Sequence, residues 1–130
     1  MRVLFASAAL AVFIIGIVAG CSDTITDPDK DLIFPDKDVS YTRHVQPFLT
    51  LRCATSGCHD DNPKDNSLSL TSYSAFINKP GIVRKGDSDA SLLIQRIDGR
   101  LPHPPHIPIL VNENQLNGIK TWVDEGAEYN

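Results

Sequence analysis

Cys53-Ala54-Thr55-Ser56-Gly57-Cys58-His59 brings two thiols and an imidazole into one short loop, and the rest of the chain reads as scaffold around it. Three chemistries use these groups at such close range: a disulfide, a zinc centre, and the attachment of haem c, in which two thiols add to the haem vinyl groups and the next imidazole reaches the iron. A disulfide leaves His59 without a role. Zinc is poorly served, because His59 directly after Cys58 makes neighbouring ligands awkward to aim at one tetrahedral ion, and the usual zinc spacing is absent. A catalytic cysteine would need a base, and protection from oxidation by its near neighbour. Haem attachment uses all three side chains: Cys53 and Cys58 hold the haem and His59 is the proximal iron ligand. Two residues usually separate the cysteines. Here there are four, Ala54 to Gly57, and Gly57 supplies the backbone freedom for a bulge.

The compartment agrees with that chemistry. From Arg2 to Gly20 the chain has one positive charge, an apolar run from Val3 to Val18, and small residues just before Cys21, the layout of a secretory signal. Val18-Ala19-Gly20-Cys21 resembles the bacterial lipobox. Residues 1–20 are therefore expected to be a cleaved lipoprotein signal, with Cys21 lipidated and the protein anchored to a bacterial membrane, facing the periplasm or the exterior. The alternative is an uncleaved signal anchor. The chain has 12 basic and 16 acidic residues; once Arg2 leaves with the leader, 11 face 16, a formal charge of −5. That balance argues against nucleic acid or an anionic membrane surface as partner. With Cys21 assigned to lipid, Cys53 and Cys58 are the only remaining pair, and free thiols seldom persist in an exported protein.

Outward from the loop, the chain predicts an all-α domain over residues 40–130, preceded by a flexible tether, 21–39, rich in Asp, Thr, Pro and Lys. Ser40 is placed to cap a helix whose face carries Tyr41, Val45, Phe48 and Leu49 and which delivers the chain into Cys53. Pro47 predicts that this helix starts near Val45 or bends there. Asp60 to Asn66 reads as a polar surface loop. Ser72 opens a short helix with Tyr73, Phe76 and Ile77, and Leu92, Leu93, Ile94 and Ile97 form another that ends at Gly99. Asn112 and Gln115 form a capping-box pattern ahead of the stripe Leu116, Ile119, Trp122 and Val123, which Gly126 closes. No strand periodicity or internal repeat is present. A bound haem would supply the apolar surface that so small a domain lacks.

The second axial position is open in the sequence. Met1, inside the leader, is the only methionine, so a mature His/Met site is excluded. Leu101-Pro102-His103-Pro104-Pro105-His106-Ile107-Pro108 is too proline-rich for helix or inner strand and suits a stiff loop over one haem face. His103, His106 and His44 are the candidate distal ligands, with an open iron as the alternative.

The stretch from about Tyr41 to Tyr129 resembles the small planctomycete-type cytochrome c domains. The motifs are His44-Val45-Gln46-Pro47-Phe48, Cys53 to His59, Leu68-Ser69-Leu70-Thr71-Ser72-Tyr73, Gly86-Asp87 with Ser91-Leu92-Leu93, and Trp122-Val123-Asp124-Glu125-Gly126-Ala127. The family's distal Met-Pro-Pro can be laid on His103-Pro104-Pro105, or an Arg-Met-Pro version on Arg100-Leu101-Pro102. The resemblance implies a class I-like cytochrome c fold of three to five helices, with the first and last crossing beside one covalent haem. It also implies a non-enzymatic electron carrier working between a donor and an acceptor protein, and the formal charge of −5 suggests docking to a basic patch on the partner. The rival readings are a haem-based ligand sensor or peroxidase-like module with an open distal site, and a non-haem binding lipoprotein closed by one disulfide.

Overall fold

Pro47 decides how the chain enters the domain. In a continuous α-helix its ring would clash with the carbonyl four residues back. In the computed structural model, which describes residues 32–61, 68–103 and 109–130, a wide π-helical turn, Tyr41–Val45, precedes helix α1, Gln46–Arg52. Val45 N–H reaches Ser40 O at 3.3 Å, and Gln46 N–H bonds back to Tyr41 O. Pro47 then sits in the first turn of α1, where no donor is needed. The Ser40 hydroxyl caps the turn by accepting from Arg43 N–H. The expected single helix is thus two segments, joined where the proline forbids continuity.

Among the described residues three more helices follow: α2, Tyr73–Ile77, α3, Leu92–Ile97, and α4, Glu113–Asp124. No strand occurs among the described residues, so the all-α expectation stands for them. The reciprocal capping box of Asn112 and Gln115 is formed at the start of α4, and Gly126, at φ 106°, ends it. Ser72 and Ser91 occupy the N-cap positions of α2 and α3 without a side-chain capping bond. At α3 the first donors are met instead by the carbonyls of Gly81 and Ile82, both at 3.0 Å.

The core lies between the π-turn with α1, and α4. Tyr41, Val45, Phe48 and Leu49 are buried against Ile119, Trp122 and Val123, and Phe76, Ile94 and Ile97 close the remaining sides. Tyr41 stacks at 5.7 Å from Trp122 and 5.1 Å from Tyr73.

The tether boundary needs correction. Phe34 and Val39, placed in the tether on composition, are core residues with 2% and 1% exposure. Phe34 lies directly on Gly118 of α4, where an added Cβ would stand 2.2 Å from its side chain. Asn114 fastens the same residue twice, accepting from Phe34 N–H at 2.8 Å and donating to its carbonyl at 2.9 Å. Glu125 accepts from Asp38 and Val39 N–H. One aromatic residue in a polar stretch carries no periodicity, so composition alone assigned it to the spacer. The leader, Cys21 and His106 lie outside the described residues. Among the described residues no helix is long and apolar enough to cross a membrane.

Candidate functional site

Helix α1 ends at Cys53, whose N–H still bonds to Leu49 O at 2.9 Å, so the first thiol is set by the helix end and is buried. The chain then turns sharply. Cys58 N–H bonds to Thr55 O, His59 N–H returns to Cys53 O at 3.1 Å, and Gly57 adopts φ 80°, a left-handed conformation that favours glycine. Its N–H is held by Asp60 Oδ2 at 2.8 Å. The four-residue spacer is thereby folded into a bulge that leaves Cys58 exposed. No disulfide joins Cys53 to Cys58 in the structure. Burial, with a smaller contribution from Cys58, pushes the Cys53 thiol up to about 12, which keeps it protonated near pH 7.

His59 is held at one ring nitrogen and presents the other. Its Nδ1 lies 2.7 Å from Leu68 O. A carbonyl only accepts, so Nδ1 carries the proton and Nε2 carries the lone pair, the tautomer of a metal-ligating histidine. The Leu70 N–H to His59 O bond, 2.9 Å, fixes the backbone on the same side. Facing His59 Nε2 at 3.4 Å is Nε2 of His103, with the rings 5.6 Å apart between centroids and inclined at 79°. His103 is positioned by α3: Arg96 donates to Pro102 O, and Leu101 N–H bonds to Gln95 O at 2.8 Å.

A cleft opens on this pair in two lobes. One, about 310 Å³, is walled by Cys53, Leu70, Leu93, Ile97 and the two histidines. The other, about 180 Å³, shares Cys53, His59 and His103 and adds Leu51, Cys58 and Leu110. The larger lobe falls within the roughly 300–1,000 Å³ of small-molecule sites.

Of the residues expected at the site, Cys53, Cys58, His59 and His103 are brought together. His44 is not. It lines neither lobe, its Nδ1 accepts from Ser40 N–H at 3.0 Å, and its ring packs 5.8 Å from Phe34. The Leu68 carbonyl and Arg96 are site groups that the sequence reading did not name. A backbone acceptor leaves no mark in sequence, whereas Arg96, interrupting the apolar positions Leu92, Leu93 and Ile97 on α3, was a visible signal.

No family model, curated protein or solved structure matches the chain. The donor set itself therefore carries the chemical argument. Among the described residues no group of three or more His, Cys, Asp or Glu side chains is arranged to hold a metal ion. Two facing imidazoles are an incomplete set for zinc. The residues present would suit haem c: Cys53 and Cys58, on the walls of an apolar cleft, would hold it by thioether bonds, and the facing imidazoles of His59 and His103 would supply nitrogen donors to its iron.

Proposed function

We propose that this chain carries one haem c, joined to Cys53 and Cys58, with His59 as proximal and His103 as distal iron ligand. In this reading it passes single electrons between redox proteins outside the cytoplasmic membrane. The observation that carries the reading is the pair of facing Nε2 atoms, 3.4 Å apart, in an apolar cleft whose walls include both thiols. When bound, haem supplies the one-electron ferric–ferrous couple.

The chain's own residues do the rest. Leu68 O orients the His59 ring and makes its Nε2 more basic. Leu70, Leu93 and Ile97 give the larger lobe an apolar wall. His103 in the place of a thioether favours the ferric state, because nitrogen is the harder donor, and so lowers the potential. Cys21 would tether the domain by lipid to a bacterial membrane. The formal charge of −5 would steer it toward a basic patch on its partners, an attraction that weakens with salt.

The test uses the native exported protein. A haem-sized mass adduct on Cys53 and Cys58 is expected, with six-coordinate low-spin spectra in both oxidation states. His103→Ala should abolish the low-spin form and His106→Ala should leave it. Absence of the adduct would end the haem reading, and a high-spin ferrous spectrum in the untreated protein would replace the carrier by a sensor or peroxidase-like module.

A further inference from the structure

The two histidines are not held alike. His59 follows Cys58 directly, and its Nδ1 is tied to Leu68 O at 2.7 Å. His103 has a buried Nδ1 with no hydrogen-bond partner among the described residues. A ring nitrogen with an acceptor behind it fixes the imidazole and strengthens the opposite nitrogen as a ligand; one without gains neither. What holds His103 acts one residue away, where Arg96 of α3 donates to the Pro102 carbonyl. The Leu101 N–H to Gln95 O bond, 2.8 Å, ties the same segment to α3. Arg96 also lines the larger lobe beside His103, so its release would free the His103 segment and open space next to it.

We propose that His103 is an exchangeable ligand that yields to a small neutral ligand of the carbon monoxide class, and that Arg96 is the positioning residue that sets how readily it yields. The proposal rests on the haem reading above. In the exchange, the bond from His103 Nε2 to the iron breaks and one from the ligand's carbon forms. No electron or proton is gained or lost. The departing imidazole swings with Pro102 while His59 stays fixed by Leu68.

The experiment uses the haem-loaded full chain, reduced and mixed with carbon monoxide, with binding followed by visible absorption. Wild type should bind at a rate that levels off with carbon monoxide concentration, because release of His103 becomes limiting. Outer-shell partners of metal ligands are typically worth about 10–100-fold. Arg96→Ala should therefore raise the plateau about tenfold or more while leaving the thermal midpoint close to wild type. Arg96→Met keeps the apolar stem without the donor and should act like Arg96→Ala; Arg96→Lys keeps a donor and should restore most of the slow rate. These two carry the comparison if Arg96→Ala fails to fold. His103→Ala should bind with no plateau. If His103→Ala binds freely but wild type and the Arg96 variants refuse carbon monoxide or share one plateau, the proposal falls and the haem reading stands. If His103→Ala keeps the wild-type low-spin spectrum, or no haem is attached, the reading beneath it falls as well.

Discussion

On the α4 side of the molecule, Phe34, Tyr41 and Trp122 are almost fully buried, and the strap before Ser40 is stitched to Asn114 and Glu125 by four hydrogen bonds. On the cleft side, His59 is set by Leu68 O and its neighbours, but His103 depends on contacts from α3 to the residues just before it. The first region spends its apolar surface on itself. The second leaves Leu70, Leu93 and Ile97 lining open space. Such a division gives a small domain a framework that orders His59, while the His103 side is held by fewer contacts. It predicts that the two regions respond to substitution on different scales.

The largest expected effect is Trp122→Ala. Trp122 is 1% exposed, packs on Tyr41 at 5.7 Å, and donates its Nε1–H to Glu128 O at 3.0 Å. Its loss should cost about 3–5 kcal/mol, much of the roughly 5–15 kcal/mol that holds a domain folded. Leu93→Ala, on the cleft wall, should cost less, because Leu93 is a smaller side chain and faces the cleft rather than the Tyr41–Trp122 cluster. Urea unfolding followed by circular dichroism measures both; equal losses would erase the distinction between framework and cleft.

How much of this was visible in the sequence follows the same division. The capped helix α4 was legible because Asn112, Gln115 and Gly126 act locally, through neighbours three or four residues away. The thiol loop was legible because its residues are contiguous. The break at Pro47 was legible as a conflict, although its resolution into a π-turn depends on how Val45 and Gln46 N–H groups find carbonyls five residues back. Phe34 was not legible, since its partner Gly118 lies 84 positions away and a glycine within a helix carries no sign of what rests on it. The pairing of His103 with His59 is equally non-local. Sequence supplied the candidates, and only the packing of α3 brings one of them to the site.

Gly118→Ala probes the strap. The new Cβ would lie 2.2 Å from Phe34, and Phe34 cannot slide away while Asn114 holds its N–H and carbonyl. Overpacking of this kind costs about 1–3 kcal/mol. Alanine is the better helix former by about 1 kcal/mol, so a loss despite that gain would locate the effect in the Phe34 contact. In a chain also carrying Phe34→Ala, the penalty should shrink or reverse. Stabilisation by Gly118→Ala in the otherwise natural chain would mean that the strap does not rest on α4.

The smallest effect bears on a weak point of the framework. The Tyr41 hydroxyl is buried with no hydrogen-bond partner among the described residues, in a cluster where Tyr73 and Tyr129 stand 5.1 and 5.5 Å away between ring centroids. An unsatisfied buried hydroxyl costs about 1–3 kcal/mol, and replacing it with an apolar group of the same shape removes that cost. Tyr41→Phe should therefore be neutral or stabilising by about 1 kcal/mol, whereas Tyr41→Ala should be strongly destabilising. The pH dependence supplies an independent reading. Burial, followed by the neighbouring tyrosines, raises Tyr41 from its ordinary 10.0 to about 12 in the folded chain. The folded state thus holds a proton that the unfolded chain gives up first, so Tyr41 contributes stability that is fully present below pH 10 and is lost as the pH rises from 10 toward 12. Tyr41→Phe should make that alkaline decline shallower in unfolding experiments between pH 8 and 11. An unchanged slope together with lower stability at neutral pH would mean that the hydroxyl is satisfied in solution and that the framework has no such weakness.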